Sequence, residues 1–334
     1  MLFRSRTMNS DQTRHPSRFG VATQEKPQLT FDSWRALLEV CRRKPSRKHV
    51  HGLRVATLRL QAQLDHALGT HSADHPHAQD ARRWNKSAEK LRDSLSAVRE
   101  TDVYRAKLSG LRGTLAAPDG YAPRSSRASL RQIEELDDWL ARERKIAAKR
   151  LIADLKRRQQ RLERLSDELE SAQAVGYSLI PVPSSSVVFK MFADAVAEFP
   201  QLDADCLHDF RKRMKNLRYL AELFSSTDPQ AARLAESLKL MQGVVGEWHD
   251  WEELAQLASR KLRKRHKGGA LTELLETLAE ESLEKALECC RTQTAELLGE
   301  AATDADAAPL RLVLPKPPVR SLDPVTMLEE RHLA

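Results

Sequence analysis

Aromatic residues make up only 5% of the 334 positions, glycine occurs 12 times and cysteine four times. So few rings leave little material for the base-stacking platforms on which single-strand nucleic-acid binders depend. The glycines form no phosphate loop: neither GxxxxGK[ST] nor GxGxxG occurs, and the zinc-protease pattern HExxH is absent as well. Cys41, Cys206, Cys289 and Cys290 show no CxxC spacing, and two of them are adjacent. That excludes a disulfide framework and a cysteine zinc site, and fits a reducing cytoplasm. No apolar run is long enough for a secretory signal or a membrane span, and no stretch reads as a strand.

What the chain has is helix-forming material and positive charge. Hydrophobic residues make up 41%, enough for a core, and the long runs rich in Ala, Leu, Glu, Lys and Arg predict an all-α protein. The formal net charge of +8 makes a polyanion a reasonable partner without saying which one. The arginine-rich stretch 1–29 reads as a disordered basic arm, with Asp11 and Glu25 speaking against an organellar transit peptide.

Periodicity predicts a helix from about Phe31 to Arg43, capped by Thr30 or Asp32 and broken at Pro45. Further helices follow over Ser46–Leu68, Asp80–Leu115 and Ser126–Ala174. Pro181, Pro183 and three consecutive serines mark the best internal boundary, dividing a first bundle of about 30–175 from a second of about 185–300. Helices over Ser186–Glu198, Asp203–Phe224, Asp228–Arg265 and Gly269–Leu298 make a second set of four, which points to duplication. Five prolines after Ala301 predict an extended tail over 301–334.

Two segments align without a gap, HGLRVATLRLQAQL from His51 and HDFRKRMKNLRYLAEL from His208. At about 100° per residue, Leu53, Leu60, Leu64 and Phe210, Met214, Leu217, Ala221 gather near ~200° from the histidines and build the cores. Arg54 and Arg211 stand on the histidine side, with Lys215 and Arg218 in the same row as His208. A charged stripe opposite an apolar face ordinarily just meets water. Here Arg211, Lys212, Arg213, Lys215 and Arg218 have only Asp209 and Glu222 for relief, and like charges at helical spacing repel. An anion would neutralise them. A third row, Arg142, Lys145, Lys149 and Lys156, falls at a similar angle from Ala148, Leu151, Leu155 and Leu162, so packing is expected to aim all three rows into one groove.

These residues resemble the CHAD family, the conserved-histidine α-helical domain. His208, Arg211, Arg213, Lys215, Leu217, Arg218 and Tyr219 match its later motif, with Asn216 where a second base is common. His51, Arg54, Val55, Arg59 and Leu60 match the earlier one, in which Leu58 and Gln61 replace bases. VRETDV, with Arg99 and Asp102, and LMQGVVGEWHD, with Gln242, Gly246 and Asp250, match two further segments. The resemblance covers about 31–300 and implies two pseudo-symmetric four-helix bundles flanking a central basic channel. It also implies binding of inorganic polyphosphate and association with polyphosphate granules. Some relatives carry a CYTH-type triphosphatase domain as well, for which the remaining residues leave no room.

For such a ligand the arginine forks Arg54, Arg59, Arg211, Arg213 and Arg218 set register, while Lys212, Lys215, Lys48 and Lys239 add attraction. His51 and His208 serve as charged donors whose protonation a phosphate favours, so binding is expected to strengthen as pH falls. Asp102 and Asp250 can bind a metal, hold groove arginines in position or simply sit in helices; the second is favoured, with an Arg99–Asp102 pair on one helix as the plainer option. No metal or cofactor and no catalysis are expected. A metal-dependent hydrolase is an alternative. So is general polyanion or nucleic-acid binding, prompted by KLRKRHK at 261–267 and the basic arm, though no reading helix accompanies them. His71, His75 and His77 read as adventitious metal binders at most, and the acidic last helix, with Glu276, Glu280 and Glu284, as a solvated face rather than a docking scaffold.

Overall fold

The structure is a computed structural model that describes residues 30–70, 77–116, 124–174, 185–262 and 269–303. The basic arm, His71 and His75, most of the KLRKRHK run and the proline-rich tail beyond Thr303 lie outside the described residues. Among the described residues there are eight helices and no strand: α1 (Phe31–Arg43), α2 (Arg47–Thr70), α3 (Ala78–Leu115), α4 (Arg124–Ala174), α5 (Ser185–Ala197), α6 (Ala204–Phe224), α7 (Pro229–Leu262) and α8 (Ala270–Thr303). None is long and apolar enough to cross a membrane.

Local chemistry sets the ends. Thr30, not Asp32, caps α1, its hydroxyl accepting from the Ser33 amide while the Ser33 hydroxyl answers at the Thr30 amide. Asp203 and Cys206 make the equivalent reciprocal cap on α6. Pro45 follows the C-cap of α1, and Ser46 receives the His49 amide at the start of α2. The last helix continues to Thr303 rather than ending at Leu298, because nothing in that final turn breaks the helix before the prolines.

Three apolar clusters hold the helices together. Phe31, Trp34 and Leu38 of α1 meet Leu53, Leu60 and Leu64 of α2, Trp84, Leu91 and Leu95 of α3, and Leu151, Leu155 and Leu162 of α4. The indoles of Trp34 and Trp84 pack edge to face at 5.6 Å, and each N–H finds a hydroxyl, on Thr57 at 2.9 Å and Ser166 at 3.1 Å. The second cluster joins Phe192, Phe210, Met214, Leu217, Leu238, Met241 and Cys290 from α5 to α8. The third belongs to both halves: Tyr104, Leu108, Ile133, Leu136 and Leu140 from α3 and α4 pack with Leu254, Ala258, Leu262, Leu271 and Leu275 from α7 and α8. The halves are therefore interlocked at one end rather than standing as two separate bundles. Elsewhere α2 and α6 touch directly, Val55, Leu58 and Ala62 closing on Tyr219.

Candidate functional site

His51 and His208 are each the fifth residue of their helices, one turn inside rather than at the opening. With their apolar faces committed to the first two cores, α2 and α6 present the intervening rows beside the Tyr219 contact. Leu58 stands where the repeat alignment puts Lys215, and it is buried there against Tyr219, so a base at that position would be trapped in the contact between the halves. Gln61, the other non-basic replacement, is buried and donates to the Asn85 carbonyl of α3 at 3.1 Å.

The cations that meet come from three helices. Burial lowers the pKa of Arg54, and the guanidiniums of Arg99 and Arg92 lower it further, with Arg211 adding to them. Arg211 is lowered by burial and by Arg99, and partly relieved by Asp250. Lys215 is brought down to about 6 by burial and then by Arg54, Arg211, Arg92 and Arg218. Burial followed by Arg99, Arg54, Arg47 and Arg218 lowers His51. Arg54, Arg92, Arg99, Arg211, Lys215 and Arg218 thus share one electrostatic neighbourhood. A Cβ on Gly246 of α7 would sit 3.5 Å from the Arg211 guanidinium, an ordinary contact distance, which places α7 close beside that side chain. The buried Nε of Arg92 has no hydrogen-bond partner among the described residues.

Two carboxylates organise this cluster. Arg99 donates to both oxygens of the buried Asp250, at 2.9 and 3.0 Å, a fork that ties α3 of the first half to α7 of the second. The Arg99–Asp102 pair on one helix does not form. Asp102 instead accepts from Arg144 of α4, whose guanidinium also reaches the Pro45 carbonyl at 2.6 Å and so fixes the α1–α2 corner. The second organiser is Glu222, which the sequence showed only as relief for its own helix: it takes Arg59 from across the α2–α6 contact at 2.7 Å and Arg218 from its own helix at 3.2 Å. Tyr219 lies beneath both guanidiniums, at 4.6 Å from Arg218 and 6.0 Å from Arg59.

The histidines edge the cluster on different sides. With Arg47, Lys48, Arg99, Asp102 and Val103, His51 lines a cavity of about 580 Å³. His208 stacks on His249 at 5.3 Å, beside Asp250, and is lowered by burial and by Lys212 and Arg211.

Several expected members are not among the main charges acting on Lys215. Arg142, Lys145, Lys149 and Lys156 are exposed on the side of α4 turned away from its buried leucines, and α3 supplies the third row through Arg92 and Arg99. Arg213 pairs with Glu198 of α5 at 2.8 Å, because it stands well off the His208 row. The exposed Lys212 is held by Asp209, and the exposed Lys239 by Glu236. Among the described residues no group of three or more His, Cys, Asp or Glu side chains is placed to hold a metal.

The arrangement defines an all-helical scaffold whose junction concentrates cations between its halves. A family model described as "CHAD domain" matches residues 28–259, well over half of the sequence, and the chain belongs to that family. The match ends within α7, so α8 lies beyond it. No curated protein matches the sequence. Among solved structures, PptA from Streptomyces chartreusis is similar, with 16% identity, a TM-score of 0.49, and coverage of 81% of this chain and 100% of that one.

Proposed function

We propose that this protein binds linear inorganic polyphosphate in the groove between α2, α3 and α6 without altering it chemically, and that binding places it at polyphosphate granules in the cytoplasm. The observation that carries the reading is the gathering of six cations, Arg54, Arg92, Arg99, Arg211, Lys215 and Arg218, with Asp250 and Glu222 as the carboxylates ion-paired to them among the described residues and Glu100 close to Arg99 and Arg54. A threadlike polyanion offers repeated oxygens to such a row, arginine forks taking pairs of oxygens and lysine supplying point charge.

Filter binding across a salt series tests this. With a slope of about −0.7 per phosphate contact for a flexible single-stranded polyanion, some six contacts give a log–log slope of about −4. Duplex DNA at equal phosphate is expected to compete at least about tenfold less well, since its phosphates lie on a stiff, wide cylinder. Equal competition would make the groove a general polyanion trap. Phosphate release with Mg²⁺ or Mn²⁺, lost on Asp102→Ala or Asp250→Ala, would overturn the non-catalytic reading.

Binding is also expected to take up protons. Free Lys215 titrates near 6, and His51 and His208 lie below the ordinary imidazole value, whereas neighbouring phosphates favour all three charged forms. The bound state therefore holds more protons, and affinity rises as pH falls from about 9 towards about 6. The free protein shows the opposite trend: unfolded Lys215 holds a proton up to its ordinary value and the folded one only up to about 6, so this residue makes stability increase with pH across that window. Calorimetry in buffers of different ionisation heat reads the uptake directly; affinity that stays flat from pH 6 to 9 would contradict it.

A further inference from the structure

We infer that the α7–α8 face carries a docking groove for the proline-rich tail of this same chain: Leu314–Arg320 lies along it, with its prolines on Trp248 and its Lys316 and Arg320 against Glu252, Glu276 and Glu280. The lining of this groove shares no residue with the cationic cluster. It is a cavity of about 550 Å³ whose apolar walls include Trp248, Ala255, Ala279 and Leu283. Trp248 is only 6% exposed, and among the described residues its indole N–H has no hydrogen-bond partner, unlike those of Trp34 and Trp84. Glu252, Glu276 and Glu280 border the same cavity, and none of them has an ion-pair partner among the described residues. Burial and then Glu253 raise the half-buried Glu252 carboxyl, so a cation brought beside it relieves both. An acidic helix face ordinarily meets only water. Here it borders an apolar hollow and an open N–H donor.

The sequence beyond Thr303 holds the matching piece. Leu314–Arg320, LPKPPVR, combines three prolines with two cations. Such a composition favours the polyproline helix, which packs its prolines on aromatic rings and has no internal hydrogen bonds, so its carbonyls are free to accept what Trp248 offers. Length agrees as well. Thr303, at the end of α8, stands about 30 Å along that helix from Leu283, and ten residues of polyproline-type chain at ~3.1 Å each cover that distance. Trp248 and Leu283 both join the second apolar cluster and so mark the same end of the groove. A tail that turns back along α8 therefore brings Leu314 and Pro315 level with them. The six residues that follow run about 18 Å, the span of α7 from Trp248 to Arg260. On that path Lys316 and Arg320 pass the three carboxylates, and Asp323 follows towards Arg260 at the far end.

The test treats the full chain with a carbodiimide, which joins amine to carboxylate without a spacer, and locates the links by peptide mass spectrometry. Lys316 is expected to link to Glu252, Glu276 or Glu280 in preference to the exposed Glu134 and Glu168 of α4. An intramolecular contact does not depend on protein concentration, so the yield is expected to hold on about tenfold dilution. A yield that falls with dilution would seat a second copy's tail in the groove and overturn the occupant named here. Links scattered over the exposed carboxylates would overturn the site itself. Charge reversal by Glu276→Lys with Glu280→Lys is the second arm. Both side chains are exposed, so the cores are untouched. Tryptic cleavage after Arg311 is expected to quicken at least about fivefold as the tail is released, and adding Lys316→Glu with Arg320→Glu to that background is expected to restore the slow rate. A rate indifferent to the reversal would show that these carboxylates do not hold the tail.

Discussion

Replacing Arg211 and Arg218 together by glutamate is expected to abolish retention of polyphosphate while leaving the helical circular dichroism unchanged. Both side chains lie outside the three apolar clusters, so the cores are untouched. Each lost charge-assisted contact is worth about 1.5–3 kcal/mol. Two of them, before counting the repulsion from the new carboxylates, weaken binding by roughly a hundredfold or more. The control is Arg142→Glu with Lys149→Glu, which changes net charge by the same amount on the outer face of α4. Charges so placed act only through screened field, and the expected loss is less than about threefold at physiological salt. Similar losses from the two double variants would show that total charge matters and the groove does not.

Asp250→Ala is expected to destabilise the free protein by about 3 kcal/mol, because it strips a partly buried guanidinium of both acceptors and leaves its charge uncompensated. In a chain of this size that lowers Tm by about 4–5 °C. The wild-type carboxylate joins the halves through Arg99 and also relieves Arg211, so its removal raises repulsion across the junction. Polyphosphate brings the missing negative charge. Saturating polymer is therefore expected to raise the Tm of the variant more than that of the wild type, with affinity undiminished. Thermal melts with and without polymer read both effects; a variant that melts like the wild type would show that the fork does not hold the halves together.

The helices themselves were plain in the sequence. Apolar side chains at three- and four-residue spacing and breaks at Pro45, Pro200 and Gly269 placed all eight with small shifts at the ends. The histidine helices were legible for the same reason, since Leu53, Leu60, Phe210 and Met214 fix which side faces the core. Phase within one helix does not say which neighbour stands on its other side. That is why the α4 row was expected beside the histidine rows although none of its members is among the main charges acting on Lys215 or Arg54, and why Arg213 turns to Glu198. Of the α3 cations found there instead, Arg99 was expected to organise the groove, whereas Arg92, two turns earlier on the same face, is followed by Asp93 and so reads as an ordinary mixed surface. Glu222 was visible only as relief of charge on its own helix; its grip on Arg59 depends on the α2–α6 contact, which no periodicity announces. The shared third core escaped for a related reason: Tyr104, Leu108 and Leu254 show which faces are apolar, not that the partner lies in the other half.

That third core also limits how far the halves can move apart. Hydrocarbon packing of α3 and α4 on α7 and α8 fastens the halves at one end, and Tyr219 seated on Leu58 and Ala62 fastens them again beside the charges. A jaw closing around its load needs a loose side, and these two fastenings remove it. Two fastenings of that kind predict that the halves keep their spacing when the proposed polymer binds, so hydrogen exchange at α2 and α6 is expected to slow at the charged row without any change at the third core.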